Sequence, residues 1–218
     1  MTCSVLFLGN SYTAVNDLPT VFRKLATSGG FAVSTKAIDP GGTTLQEHLD
    51  DPEMSATLTG STWNVVVMQD QSEIPSVESL RQGEMYPAVR ALVSGIREAR
   101  AEPLLFETWA HSQGWPENGL LTYDQMQAAI NQGYLSIGKE LDVATAPVGS
   151  AWSLALGERM GALLWSDDGS HPTTMGTYLA ACVFYATIFG RSPRGLSYHA
   201  DLSAAEAAQL QRIASQAA

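Results

Sequence analysis

Residues 3–13 read CSVLFLGNSYT, and the fold can be inferred outward from them. The run Cys3–Leu8 is apolar and stops abruptly at a Gly-Asn pair, which is typical of a short, fully buried strand. A helix-forming stretch follows at Asp17–Thr27. In an open α/β sheet, ligands bind beyond the carboxyl ends of the strands, and Ser11 lies just past such an end. Ser11 is therefore a candidate nucleophile, although Gly-Asn-Ser after a strand also fits a plain turn or helix cap.

Four further segments are predicted to be strands because they are short, rich in β-forming residues and bounded by turn residues. They are Phe31–Ile38, Trp63–Met68, Leu104–Trp109 and Val143–Pro147. Segments with apolar residues at helical spacing separate these strands, and this alternation indicates a parallel sheet with right-handed crossovers. The sequence thus predicts one α/β domain over residues 1–218. Its expected architecture is a three-layer sandwich with a five-stranded parallel, flavodoxin-like sheet flanked by helices.

Several predicted helices carry signals at or near their first residues. Thr122 with Gln125, and Ser203 with Glu206, have the three-residue spacing of a capping box. The segment Thr173–Phe189 is nearly all apolar, which predicts a helix that is buried on every side.

Charge and composition exclude several classes of partner. The chain of 218 residues has a formal net charge of −10, a pI near 4.7, and 12 lysines and arginines in total. This balance argues against a nucleic-acid partner, which needs a clustered basic surface, and against an anionic membrane surface. The longest apolar stretch, Leu179–Phe189, is too short to span a bilayer. The first residues lack the features of a signal peptide, so we expect a cytoplasmic protein unless a leader precedes this chain.

The two cysteines, Cys3 and Cys182, fall in predicted core elements. We interpret them as two buried free thiols rather than as a disulfide or a metal site. The H-E-x-x-H motif, the P-loop and the G-x-S-x-G elbow do not occur in the sequence. No metal or cofactor is therefore expected.

Three predicted loops follow the carboxyl ends of the first three strands and would converge on one edge of a parallel sheet. They hold Asn10-Ser11, Gly41-Gly42 and Gln69-Asp70-Gln71. A later turn separates Asp168 from His171 by three residues, so the carboxylate can hold one ring nitrogen while the other faces outward. A serine nucleophile needs such a base, and the base needs a group that fixes its tautomer. The alternatives are that Asp168 caps the helix near Thr173 and that His171 is a surface histidine.

Together these blocks resemble the SGNH hydrolase superfamily, which includes the GDSL-like esterases and lipases. Gly9-Asn10-Ser11 is similar to the nucleophile block of that family, and Asp168 with His171 matches its final D-x-x-H block. Gly41-Gly42-Thr43-Thr44 resembles the second block, whose glycine N–H is an oxyanion donor in the family. Both glycines fit the G-x-T pattern, so either is a candidate donor.

The third block of the family is degenerate in this chain. Laying Trp63–Ser72 over the pattern G-x-N-D puts Gln69 at the glycine, Gln71 at the asparagine and Ser72 at the aspartate. The resemblance therefore implies that the side-chain donor to the oxyanion is the amide of Gln71, with Gln69 as the alternative. Trp109 ends a predicted strand at the same edge and is a candidate pocket residue.

The resemblance implies a serine esterase in which Ser11 attacks, His171 is the base and Asp168 orients it. The expected substrates are small-molecule or carbohydrate esters with short acyl groups. One open alternative is an acyltransferase, in which a bound alcohol replaces water at the acyl-enzyme. Another is a non-catalytic carbohydrate-binding module, with a sugar-stacking platform of Trp109, Trp115 and Trp165. The sequence does not indicate an oligomeric state.

Overall fold

The computed structural model describes residues 2–158 and 160–218 and contains a five-stranded parallel sheet. The strands are β1 (Cys3–Leu8), β2 (Val33–Ile38), β3 (Val65–Met68), β4 (Glu102–Glu107) and β5 (Ala144–Pro147). Their spatial order, β2-β1-β3-β4-β5, is the order of flavodoxin-like folds. Leu8 pairs with Ile38 on one side and Met68 on the other, so the carboxyl ends of the first three strands meet at one edge.

Helices cover both faces of this sheet. In chain order they are α1 (Ser11–Ala14), α2 (Leu18–Ser28), α3 (Leu45–Asp50), α4 (Pro52–Gly60), α5 (Glu78–Leu80), α6 (Tyr86–Glu98), α7 (Tyr123–Leu141), α8 (Val148–Gly157), α9 (Thr174–Phe189) and α10 (Ala204–Ala217). A π-helical turn at Arg81–Met85 joins α5 to α6, and short 3₁₀ turns occur at Ile74–Ser76, Pro116–Asn118 and Gly161–Leu163.

The three central strands, β1, β3 and β4, are buried on both faces beyond their first residues. In β1, Val5 and Phe7 pack into the layer that contains α2, α8, α9 and α10, whereas Leu6 and Leu8 pack into the layer of α3, α4, α6 and α7. Burial on both sides explains why β1 reads as a continuous apolar run rather than an alternating one. The predicted three-layer α/β sandwich with a five-stranded parallel sheet is confirmed.

The apolar segment before residue 190 forms the helix that the sequence predicted. Thr173 caps α9 through its side chain, and Met175–Tyr185 is buried without interruption. Phe184 of this helix contacts the rings of Phe7 and Phe106 edge-on, at centroid distances of 5.5 and 4.9 Å. Neither α9 nor any other helix within the described ranges has both the length and the apolarity to cross a membrane.

The two predicted capping boxes differ in outcome. At α10, the side chain of Ser203 and that of Glu206 each accept the backbone N–H of the other residue, so the box is complete. At α7, Thr122 accepts from the N–H of Gln125, but the Gln125 side chain accepts from Leu121 rather than from Thr122. The longer reach of the glutamine satisfies an N–H one residue earlier.

Both cysteines are free thiols in the structure. Cys182 is fully buried in α9, as predicted. The prediction is wrong for Cys3, which is only partly buried, because the first two residues of β1 lie at the less covered amino end of the strand.

Candidate active site

Ser11 reaches the carboxyl edge of the sheet through a tight turn after β1. It is the first residue of α1, and the side chain of Asn10 caps that helix by accepting the Tyr12 N–H at 3.1 Å. Gly9 is required in this turn because a Cβ there would lie 2.8 Å from Gln69 Oε1. Within the described residues, the N–H of Ser11 has no hydrogen-bond acceptor, so it is available to a ligand.

Ser11, His171 and Asp168 form one hydrogen-bonded chain. Ser11 Oγ lies 2.9 Å from His171 Nε2, and His171 Nδ1 lies 2.6 Å from Asp168 Oδ2. With the proton on Nδ1, the ring donates to the carboxylate and can accept the serine proton at Nε2. The three residues are thus in the arrangement that base-assisted attack by a serine requires.

The loop that carries Asp168 is folded around its carboxylate. Asp168 Oδ1 accepts the backbone N–H groups of Ser170 and His171, each at 2.9 Å. The pKa of Asp168 is lowered to about 2, mainly by the hydrogen bond from the Ser170 N–H and further by the bonds from His171. The carboxylate is therefore ionised at neutral pH. The carboxylate does not cap α9, because Thr173 has that role.

The serine and the imidazole open into a pocket of about 440 Å³. Besides Ser11 and His171, its walls include the glycines 41 and 42 after β2, the segment 71–73 after β3, and His111 after β4. The wall residues are glycines or have polar side chains, and Tyr12 adds a phenol ring. The pocket therefore suits a small polar ligand better than a long hydrocarbon chain.

A larger cavity of about 760 Å³ lies at the opposite end of the sheet. Its walls include Val65, Glu102 and Ala144, which are the first residues of three strands. None of the candidate site residues borders it. The smaller cavity is therefore the candidate active site, in keeping with ligand binding at the carboxyl ends of parallel strands.

No protein-family model matches this sequence, and no curated protein matches it. Solved structures do match. A protein of the DUF4886 family from Bacteroides uniformis superposes with a TM-score of 0.87 at 18% identity, over 100% of this chain and 95% of its own. A candidate SGNH hydrolase from Slackia heliotrinireducens superposes with a TM-score of 0.69 at 27% identity, over 86% of this chain and 100% of its own.

The chain therefore has the fold of the SGNH hydrolases. An acetylxylan esterase from Geobacillus stearothermophilus also superposes, with a TM-score of 0.62 at 15% identity over 85% of this chain and 93% of its own. SGNH hydrolases, esterases and a GDSL-like lipase thus share this architecture.

The second SGNH block leaves open space in front of its glycines. A Cβ on Gly41 or Gly42 would meet no atom within 4 Å, and Gly42 has a φ of +77°, which favours glycine. In the described part of the chain, neither glycine N–H has an acceptor. Asn10 ties this loop to the nucleophile turn because its Nδ2 donates to Thr43 O at 3.0 Å. Both glycines border the pocket, and both remain candidate oxyanion donors.

In the degenerate third SGNH block, Gln71 has an oriented side chain. Its Oε1 accepts the backbone N–H groups of Glu73 at 2.7 Å and of Ile74 at 3.3 Å. These bonds fix the plane of the amide, while the Nε2 has, among the described residues, only a contact of 3.5 Å with the Glu73 carboxylate. The amide hydrogens of Gln71 are therefore available on a side chain that borders the pocket.

Gln69 has a different role from the one expected. It is fully buried, and its Oε1 accepts from Asn10 N at 3.1 Å and from Thr13 Oγ1 at 3.0 Å. Its Nε2 donates to Asn10 Oδ1 and to the carbonyl of Asp70. The prediction of Gln69 as an alternative oxyanion donor is wrong, because all of its hydrogen-bonding capacity is used by Asn10, Thr13 and the Asp70 carbonyl.

Two buried side chains anchor α3, the helix after the glycine loop. Asp70 Oδ1 accepts the N–H of Leu45 at 3.0 Å and that of Gln71 at 2.8 Å, and burial raises the pKa of Asp70 to about 6. His48 Nε2 donates to Gly9 O at 2.7 Å, and burial lowers the pKa of this imidazole. The loop with the candidate backbone donors is therefore tied to the nucleophile turn and to the third block.

Trp109 does not face the pocket. It is fully buried, and its ring stacks between Tyr12 at 4.5 Å and Trp152 at 4.1 Å. Its Nε1 donates to Ser170 O at 2.8 Å. The expectation of a pocket contact is therefore wrong, because this indole packs beneath the site and supports Tyr12 and the loop of Asp168 to His171.

The three tryptophans also do not form a sugar-stacking platform. Trp165 is buried and donates through Nε1 to Ala110 O at 3.2 Å, and Trp115 pairs with Leu120 in a short bridge. Neither borders the pocket, and Trp109 lies beneath it. The interpretation as a non-catalytic carbohydrate-binding module depended on a platform of these three indole rings, and they do not form one.

Sequence reasoning assigned no role to three further pocket residues. Ser72, Glu73 and His111 border the pocket, and His111 Nε2 lies 3.3 Å from Ser72 Oγ. Burial lowers the pKa of His111. All three follow the carboxyl ends of β3 and β4, so the rule that placed Ser11 at the site applies to them equally.

Proposed function

We propose that this protein, which has the fold of the SGNH hydrolases, is a serine esterase that cleaves small carboxylic esters through an acyl-enzyme on Ser11. The observation that carries the proposal is the unbroken chain from Ser11 Oγ to His171 to Asp168, with contacts of 2.9 and 2.6 Å. Esterases and lipases among the structural neighbours support the same class of reaction.

In the first half of the reaction, Ser11 Oγ attacks the ester carbonyl carbon while His171 Nε2 takes the hydroxyl proton. Asp168 holds the Nδ1 proton and stabilises the imidazolium that forms. The negative oxygen of the tetrahedral intermediate is bound by the N–H of Ser11, one glycine N–H of the second block and the Gln71 amide. Collapse of the intermediate expels the alcohol, which receives its proton from His171.

In the second half, water attacks the acyl-enzyme and His171 again removes the proton. The same donors bind the second oxyanion, and the carboxylic acid leaves as the serine recovers its proton. His171 is about one-third exposed, with 36% of its side-chain surface accessible, so water can reach the ring without a large movement.

The size and lining of the pocket support a short acyl group. Its volume is about 440 Å³, and its walls are mainly polar side chains and glycines. The exposed leucines at positions 121, 135, 154 and 163 do not border it. A long acyl chain would therefore lack an apolar surface to bury it, whereas an acetyl ester of a small polyol or carbohydrate would fit.

A series of p-nitrophenyl esters from acetyl to palmitoyl tests this proposal. We expect turnover that is fastest for the acetyl or propionyl ester, with kcat/KM falling as the chain lengthens. A pre-steady-state burst of p-nitrophenol is expected if deacylation is the slow step. Absence of hydrolysis for the whole series, or a preference for palmitoyl, would contradict the proposal.

Gln71→Ala is expected to slow kcat by about 10²- to 10³-fold with little change in KM, as for other oxyanion donors. The physical reason is that the amide meets a full negative charge only in the transition state, so its loss affects binding of the ground state much less. Steady-state kinetics on p-nitrophenyl acetate measure both constants.

Gln113→Ala is the matched control, because Gln113 is exposed on a neighbouring loop and does not border the pocket. It should leave both constants near those of the unmodified protein. A Gln71→Ala enzyme within a few-fold of the unmodified protein would remove this amide from the oxyanion site.

A further inference from the structure

The pocket contains one carboxylate that the proposed reaction does not use. Glu73 borders the pocket, and the lining residues include neither lysine nor arginine. Of the two pocket histidines, His171 belongs to the triad. Burial lowers the pKa of the other, His111, which favours its neutral form. Apart from Asp168, which lies behind His171, Glu73 is therefore the charged side chain of the pocket wall, and the charge it contributes is negative.

Glu73 has no cationic partner in the described residues. No lysine, arginine or histidine nitrogen of that part of the chain lies within ion-pairing distance of its carboxylate. Among the described residues, its carboxylate has one hydrogen-bond contact, a weak one of 3.5 Å with Gln71 Nε2. Carboxylates that lose part of their hydration are usually paired or hydrogen-bonded, whereas this half-buried one belongs to a residue that borders the pocket and has no cationic partner among the described residues.

The backbone holds Glu73 in a defined position. Its N–H donates to Gln71 Oε1 at 2.7 Å, and its carbonyl accepts from Ser76 N at 2.9 Å and from Ser76 Oγ at 2.6 Å. The Glu73 side chain therefore begins at a fixed turn, two residues beyond the candidate oxyanion donor. A charged group of a bound ester would experience its field at short range, with less solvent screening than at an open surface.

We propose that Glu73 makes the site selective for charge, so that it accepts neutral and cationic esters and rejects esters with an anionic group near the reacting carbonyl. This inference rests on the proposed esterase function. The preferred substrates are small acyl esters of uncharged polyols or of amino and quaternary ammonium alcohols. Esters that carry a carboxylate, sulfonate or phosphate beside the scissile bond are poor substrates because that charge approaches an unpaired carboxylate.

Three acetates of similar size test the inference: acetylcholine, its neutral analogue 3,3-dimethylbutyl acetate, and 3-sulfopropyl acetate. Hydrolysis is measured by pH-stat titration at low ionic strength. We expect kcat/KM to be lowest for the sulfonate. Glu73→Gln should lower the ratio of kcat/KM for acetylcholine to that for the sulfonate by about tenfold or more, and added salt should lower it in the unmodified protein.

The ratio separates selectivity from general damage, because a loss common to all three acetates cancels. Glu117→Gln removes an equal charge from an exposed position outside the pocket and should leave the ratio unchanged. Glu73→Lys should reverse the ranking of the two charged esters. Ratios that stay the same in both Glu73 variants would overturn the inference while the esterase function stands. Absence of hydrolysis of every acetate by the unmodified protein would overturn both.

Discussion

A Ser11→Ala protein is expected to lose nearly all ester hydrolysis, with kcat falling about 10⁵- to 10⁶-fold, as when the nucleophile of a serine hydrolase is removed. Without Oγ no acyl-enzyme forms, and the remaining groups can only assist direct attack by water. Ester binding should change little, because the donors to the carbonyl oxygen remain. Steady-state and burst kinetics on p-nitrophenyl acetate measure these effects.

The fold should survive this substitution. Ser11 is only half-buried, and its hydroxyl makes one side-chain hydrogen bond in the described structure, to His171. We therefore expect the free energy of unfolding to change by less than about 1 kcal/mol. Chemical denaturation of both proteins checks that a loss of activity is not a loss of structure.

Ser72→Ala tests whether the other serine of the pocket could be the nucleophile. Ser72 is a second serine in the pocket with an imidazole close by, since its Oγ lies 3.3 Å from His111 Nε2. However, no carboxylate of the described residues hydrogen-bonds or ion-pairs with His111, so nothing equivalent to Asp168 orients that ring. We expect a far smaller loss than for Ser11→Ala. Near-complete loss in Ser72→Ala with high activity in Ser11→Ala would reverse the assignment.

Asp168→Asn is expected to lower kcat by about 10⁴-fold, as for a triad aspartate, with KM nearly unchanged. The carboxylate accepts the Nδ1 proton of His171 at 2.6 Å, whereas an asparagine amide can donate to Nδ1 and leave the proton on Nε2. The imidazole then cannot accept the serine proton. Because the pKa of Asp168 is about 2, this residue keeps its charge through the whole pH range of an esterase assay.

Asp167→Asn is the matched control, since Asp167 is adjacent, exposed and outside the pocket lining. It should retain nearly full activity. Asparagine at position 168 can still accept the N–H groups of Ser170 and His171, so the loop should keep its shape. Equal losses in the two variants would show that the wrong carboxylate had been assigned.

Most of the fold could be predicted because the three central strands are buried on both faces. Continuous apolar runs such as Val65–Met68 have few alternative explanations when helical segments separate them. The contact between Asp168 and His171 was also predictable, because it joins residues in a single turn. Local constraints of this kind are visible in sequence.

The errors concern residues whose orientation depends on distant parts of the chain. Trp109 follows β4 at the site edge, but its ring is drawn into the core by stacking on Trp152, a residue of α8. Gln69 is turned away from the pocket by Asn10 and Thr13, which precede it by more than fifty residues. No local pattern specifies which way such a side chain faces.

The central claim, that Ser11 is the nucleophile, is tested most directly by covalent labelling. The protein is incubated with a fluorophosphonate, in which attack by a serine oxygen on phosphorus expels fluoride, and is then examined by intact-mass spectrometry and peptide mapping. We expect one adduct per chain on the peptide that contains Ser11, and no adduct in Ser11→Ala. An adduct on Ser72, or the absence of any adduct on a folded protein that hydrolyses p-nitrophenyl acetate, would contradict it.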